Sequence, residues 1–262
     1  VSEKHVHLTN SPMGKFELKT DKQIESMKVG GKKLSQIRRA LAAAVKPGVS
    51  AMDIENLAVQ LIKEAGGAAS FKMVPDYHWA TCINVNDGVV HGIPRAETVF
   101  KKGDIISVDV GIYYEGLHTD CATTVYLGDD PEVKRFTEAS RAALKAGIKK
   151  AQVGRKIGDI SKAIEEVLIK HKINPVWNLT GHGVGRELHE DPRIPNYYSG
   201  SKDEKLEIVP GMTLAIEVMA TPGSGDMVLA KDGWTLRTKD ATIAALFEET
   251  IAVTKTGTFV LT

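Results

Sequence analysis

Apolar residues recur at three- and four-residue steps from Ile24 through Met27, Leu34 and Ile37 to Leu41, the spacing that lines one face of an α-helix. The pattern opens after Asp21 and stops before Pro47-Gly48, which predicts a long first helix. A second is predicted from Met52 to Ala65, closed by Gly66-Gly67. The same arrangement then returns. Val133, Phe136, Leu144 and Ile148 mark a helix after Pro131, and Ile157, Ile160, Ile164, Val167 and Leu168 mark another after Gly154. With Gly48 laid on Gly154, Asp53 falls on Asp159 and Ile54 on Ile160. The apolar positions Leu57, Ala58, Leu61 and Ile62 then fall on Ala163, Ile164, Val167 and Leu168.

After each helix pair the pattern changes to short apolar runs, each interrupted by one acid. Asp109 sits in Ile105-Ile106-Ser107-Val108-Asp109-Val110-Gly111, which reads as a buried strand. Asp120 precedes Cys121-Ala122-Thr123-Thr124-Val125. Glu217 lies in Leu214-Ala215-Ile216-Glu217-Val218-Met219 after the Pro210-Gly211 turn, and Glu248 opens the segment that runs to Ile251-Ala252-Val253. If Glu115-Gly116 is a two-residue hairpin turn, Tyr114 opposes Leu117 and Asp109 opposes Ala122. Asp120 is then a diagonal neighbour of Asp109 on the same face.

A histidine segment also follows each helix pair, His91-Gly92-Ile93-Pro94 in one case and His182 to His189 in the other. The repeated order predicts an α+β fold made by internal duplication, with halves at about residues 21–127 and 131–262 related by a pseudo-two-fold axis. The chemistry is expected at their junction. No low-complexity linker separates the halves, so residues 21–262 read as one domain. Residues 1–20 read as an N-terminal extension, with His5 and His7 as tail residues.

An ionised carboxylate inside an apolar strand is costly unless it is paired or bound to a cation, and this chain repeats the feature four times. With His182, the acids Asp109, Asp120, Glu217 and Glu248 make an oxygen-rich ligand set with a single nitrogen. That set suits Mn, Co, Fe or Zn at a catalytic position and lacks the thiolates of a structural zinc site. Two divalent metal ions are therefore the expected cofactor. The glycines of Gly181-His182-Gly183-Val184-Gly185 exclude the helical His-Glu-x-x-His presentation and suggest backbone passing close to metal or substrate. A phosphate cradle is left incomplete, since no Lys-Ser/Thr signature follows.

Charge narrows the partners little. Lys plus Arg number 34 against 33 Asp plus Glu, and the formal net charge of +1 gives no global pull toward nucleic acid, membrane or acidic substrates. Cys82 and Cys121 make no disulfide framework and fit a reducing compartment. No apolar run reaches the roughly 20 residues of a spanning helix, and Val1 to Lys22 has no signal-peptide core. The expectation is a soluble, cytoplasmic monomer with no membrane partner and no specific nucleic-acid binding.

Several long motifs occur in one order from about Ile24 to the C-terminus. They are Cys82-Ile-Asn-Val-Asn-Asp-Gly-Val-Val-His91-Gly-Ile-Pro94, Gly103-Asp-Ile-Ile-Ser-Val-Asp109, Thr119-Asp120 and Thr180-Gly-His182-Gly-Val-Gly-Arg-Glu-Leu-His189-Glu-Asp-Pro192. Pro210-Gly-Met-Thr-Leu-Ala-Ile-Glu217, Asp232-Gly-Trp234-Thr and Phe247-Glu248-Glu-Thr250 complete the set. On these motifs the chain resembles type I methionine aminopeptidases of the pita-bread metallopeptidase family. The short span from His189 to Glu217 leaves no room for the helical insertion that marks the type II branch.

The resemblance implies a pita-bread fold, with antiparallel sheets covered by helices, and removal of initiator methionine from nascent polypeptides whose second residue is small. By the same resemblance Asp109 chelates one ion, His182 and Glu217 the other, and Asp120 and Glu248 bridge both. Two such cations lower the pKa of a water and polarise the scissile carbonyl. Glu217 would also carry the proton to the leaving amine, while His91 and His189 would bind substrate and stabilise the tetrahedral intermediate. The methionine pocket carried over by position is Phe71, Tyr77, Cys82, Leu188 and Trp234. Departures fall beside it: Val74 replaces an expected tyrosine, and His78 follows Tyr77 where proline is usual. Glu249 either tunes metal affinity or points to solvent on the opposite strand face. The ribosome is a candidate partner. A proline-directed aminopeptidase would use the same five ligands with another pocket. A non-catalytic binding module of this fold would be signalled by lost ligands, and all five are present.

Overall fold

Thr20 starts the first helix by accepting from the Gln23 amide while the Gln23 side chain accepts from the Thr20 amide, so two unpaired donors are satisfied reciprocally. In the computed structural model, which describes residues 17–262, this helix (α1) spans Asp21–Ala44. The next (α2) spans Ala51–Glu64, one residue earlier at each end than its periodicity predicts, with the same reciprocal cap between Ser50 and Asp53. Helices α3 (Pro131–Lys150) and α4 (Ile157–Lys170) follow. Pro131 opens α3, where its missing N–H removes no helical bond. His5, His7 and the first 16 residues of the expected extension lie outside the described residues.

The main sheet is antiparallel throughout. Strands β2 (Ile105–Tyr114), β3 (Leu117–Tyr126), β4 (Thr180–Gly183), β5 (Glu190–Pro195), β6 (Thr213–Thr221) and β7 (Ala245–Thr254) lie in the order β2-β3-β7-β6-β4-β5. β1 (Thr81–Val85) runs along β2, and β8 (Gly257–Val260) pairs with the end of β7. β7 is the seam, since Glu248 is opposite Ala122 on β3 and opposite Glu217 on β6.

Alternation along the strands separates packing from chemistry. Val108, Val110 and Ile112 pack with Leu34, Ile37 and Ile54 under α1 and α2. Ile216, Val218 and Phe247 pack with Leu144, Ile160 and Ile164 under α3 and α4. Each such side chain contributes roughly 1.5–3 kcal/mol when fully buried. Because successive side chains point to opposite faces, these positions leave Asp109, Glu217 and Glu248 on the face away from the helices. That face is partly covered by a small second sheet of Gly88–Val90, Leu236–Thr238 and Met227–Leu229. Among the described residues no helix is long and apolar enough to cross a membrane.

Candidate metal centre

Two cross-strand rows carry the five ligand candidates. In the first, Cys82, Asp109, Ala122, Glu248 and Glu217 stand opposite one another in turn on β1, β2, β3, β7 and β6. In the second, Asp120 on β3 is opposite Gly111, and His182 on β4 is opposite Ala215, which is itself opposite Thr250 on β7. The Thr250 hydroxyl ties Asp120 into this row, accepting from its amide at 2.9 Å and donating to its carbonyl at 2.8 Å. The β2–β3 hairpin has the register expected for a two-residue turn. Glu115 and Gly116 both take positive φ, 48° and 84°, as a type I′ turn demands, and Asp109 opposes Ala122.

His182 Nδ1 lies 2.7 Å from the Gly183 carbonyl oxygen, which orients Nε2 toward the carboxylates, 4.0 Å from Glu248 Oε1. Ligand atoms of Asp120, His182 and Glu248 all lie within 4.8 Å of one another. The close approach of β4 to β6 needs Gly181, since a Cβ there would meet the Ala215 carbonyl oxygen at 2.6 Å.

Burial, and then the neighbouring negative charges, push the Asp109 and Glu248 carboxyls well above the ordinary range. Glu217, on the cavity wall, shifts the same way for the same reasons, and burial raises Asp120 to about 7. Burial also pushes the His182 imidazole down to about 4 and keeps it neutral. Oδ1 of Asp109 and Oδ1 of Asp120 are buried with no hydrogen-bond partner. An unsatisfied buried acceptor costs about 1–3 kcal/mol, more if charged. A divalent cation satisfies those oxygens and offsets the mutual repulsion, so the donor set fits a metal.

Two further histidines border the cluster. The His189 ring is 4.5 Å from that of His182, edge to face, and His91 has φ 58° with its Nδ1 unpartnered. Burial holds His91 at about 4; burial and the surrounding imidazoles hold His189 well below its usual value. Each neutral ring keeps one N–H donor and one acceptor nitrogen.

Phe71, Tyr77, Cys82 and Leu188 form one apolar cluster beside the ligands, joined by Trp234 and by Val74 and Trp79. The Tyr77 ring meets Trp234 at 5.1 Å and 72°, and Phe71 at 6.5 Å and 75°. Asp232 fixes Trp234, its Oδ1 accepting from the Trp234 and Thr235 amides at 3.0 and 2.9 Å. Val74 stands at the cluster's edge, while His78 is exposed, its ring tilted 51° to that of Trp79.

Sequence motifs did not mark His118. It is buried two residues before Asp120 and therefore shares its strand face; that period of two is the signal that could have found it. Its Nδ1 is 2.9 Å from Ser70 Oγ, and its amide donates to the Gly185 carbonyl at 2.7 Å. Glu249 points to the helix side, where it pairs with Arg38 at 2.8 Å and accepts from the Thr262 hydroxyl. It does not face the ligand cluster.

The model of metallopeptidase family M24 matches residues 25–255 of the chain. Methionine aminopeptidase of Aquifex aeolicus is 39% identical over 256 residues, covering 94% of this chain and 98% of its own length. The crystal structure of methionine aminopeptidase from Thermotoga maritima is similar at a TM-score of 0.90 and 41% identity, again over 94% of this chain and 98% of that one. Prolidase from Pyrococcus furiosus, 20% identical with a TM-score of 0.72 over 93% of this chain and 64% of its own, shares the fold.

Proposed function

This chain belongs to metallopeptidase family M24, and from that membership together with its cluster of acids we infer that it removes the N-terminal methionine from polypeptides by metal-dependent hydrolysis. The single observation that carries the reading is the cross-strand array of carboxylates with unpartnered buried oxygens beside an aromatic pocket. Full-length similarity to methionine aminopeptidases favours this substrate over a proline-directed one, whose solved examples are alike in fold.

The site suits divalent metal, and we assign two ions to Asp109, Asp120, His182, Glu217 and Glu248, of Co, Mn, Fe or Zn. Bound there, such ions supply Lewis acidity and an activated water. The protein's own groups do the rest. Glu217 carries a proton at its carboxylate oxygen to the leaving amine. His91 and His189, neutral through the working pH range, donate hydrogen bonds to the peptide carbonyl as negative charge develops on it. The cluster of Phe71, Tyr77, Cys82, Leu188 and Trp234 takes the methionine side chain, whose thioether packs favourably against aromatic rings. Cys82, opposite Asp109, sets how close that side chain comes to the ligands.

A small second residue, a cytoplasmic monomer, a duplicated single domain over 21–262 and a ribosomal partner belong to the same proposal. Assay of Met-Gly-Met-Met against an Xaa-Pro peptide, across several divalent metals, tests it. Cleavage of the first peptide is expected; cleavage of only the second would assign the chain to proline-directed action. Asp109→Ala should abolish turnover, and unchanged activity in that variant would contradict the metal site.

A further inference from the structure

The helix side of the sheet, opposite the carboxylates, holds an open groove of about 610 Å³ between α1 and α3, floored by Thr123, Val125 and Phe247 of β3 and β7. Charge is segregated around it. From α1 it receives Arg38 and Arg39, while Lys28 further back is paired with Glu25 at 2.6 Å, and residues 139–150 of α3 carry Arg141, Lys145, Lys149 and Lys150 without one acid. The outer helices mix their signs, as in α4 with Asp159, Glu165 and Glu166 beside Lys162 and Lys170. A net charge of +1 therefore averages over a strongly basic central face.

Arg38 and Arg39 line one wall of the groove, and Arg141, Lys145 and Lys149 the other. Glu249 is the lone acid among the lining residues, and Arg38 already holds it at 2.8 Å. Among the described residues the other four cations have no carboxylate partner, and all four are exposed. Arg141 is held over the floor, its guanidinium 4.9 Å from the centre of the Phe247 ring. The three α3 cations recur every fourth residue, a step of about 6 Å along the helix axis.

We propose that this groove binds the phosphodiester backbone of a single nucleic-acid strand, by charge and without reading bases. Such a strand carries an anion at every repeat and presents it to both walls. A flat layer of lipid headgroups reaches the rims of a concave groove and not its floor. An acidic peptide supplies carboxylates only where its sequence happens to place them. The site is separate from the peptidase centre, so neither proposal depends on the other.

The test is fluorescence anisotropy of the full chain with a short mixed-sequence single-stranded RNA, its DNA counterpart, poly-glutamate and vesicles of anionic lipid, over a salt series. Both nucleic acids should bind, with log affinity falling against log salt at a slope of about −0.7 per phosphate contacted. Arg141→Glu/Lys145→Glu/Lys149→Glu should lower affinity at least about tenfold and flatten the slope by about 2, at unchanged tetrapeptide hydrolysis. Lys162→Glu/Lys170→Glu, two reversals on α4, should bind as the parent does. No binding at low salt, equal loss in the α4 variant, or tighter binding of poly-glutamate or vesicles than of nucleic acid would each overturn the proposal.

Discussion

Glu248 on β7 stands directly opposite Glu217 on β6, and among the described residues no lysine or arginine pairs with either carboxylate. Burial disfavours the charged form of each carboxyl first, and neighbouring like charges add to the penalty at Glu217 and Glu248. Both carboxyls, with those of Asp109 and Asp120, are consequently pushed upward.

The metal-free protein should lose stability as pH rises. For Asp120, raised from an ordinary 3.8 to about 7, the folded state binds the proton more tightly than the unfolded chain. Its contribution is complete below about pH 4 and is lost as pH passes through about 7, and the other three acids shift in the same direction. Calorimetry of the EDTA-treated protein should show this fall, Glu248→Gln should lessen it, and added Mn should remove it for the parent chain. A melting temperature equally dependent on pH with and without metal would refute the account.

Burial holds His91 at about 4 and, with the surrounding imidazoles, holds His189 well below its ordinary value, so neither changes charge between about pH 6 and 8. His189→Asn should lower kcat by about 10²- to 10³-fold with little change in KM. In the parent enzyme, no limb of the kcat–pH profile should carry the ordinary histidine value. A limb near that value which vanishes in His189→Asn would show that the imidazole titrates after all.

Asp232 holds Trp234 and Thr235 through three hydrogen bonds, one of them from the Thr235 hydroxyl at 2.7 Å. Asp232→Ala should loosen the pocket wall and leave the ligands alone. Losing about 1 kcal/mol of positioning corresponds to roughly a fivefold rise in KM for a methionyl peptide at nearly constant kcat. A fall in kcat alone would place Asp232 in the chemistry instead.

Lys19 and Glu190 form a buried ion pair at 2.5 Å, their side chains 1% and 3% exposed, next to His189 in the chain. Lys19→Met leaves a buried carboxylate uncompensated and should destabilise the fold by about 3–5 kcal/mol. Lys19→Met/Glu190→Gln should recover most of that loss, because no buried charge remains. Urea unfolding of the parent, Lys19→Met, Glu190→Gln and the double variant measures the difference, and additive losses would rule out the coupling.

Gly181→Ala should separate β4 from β6 and move His182, since the new Cβ would press on the Ala215 carbonyl. Overpacking of this kind costs about 1–3 kcal/mol. Metal affinity by calorimetry should fall with it, whereas an alanine at Gly103, φ 94° with nothing within 4 Å, should lower stability and spare the metal.

Local chemistry was legible along the chain. The four helices follow from three-to-four periodicity and their caps, and the β2–β3 register from a two-residue turn, because each depends on residues close in sequence. The acids stood out as charges in apolar runs. Long-range pairing did not, because every strand has the same period of two and so does not name its neighbour. Only the folded chain brings β7 between β3 and β6, setting Glu248 against Glu217 and Cys82 in line with Asp109. The same pairing turns His118 to the face of Asp120 and gathers the cations of α1 and α3 around one groove. Burial and like-charge repulsion are distances in space, and distance in space is what strand order decides.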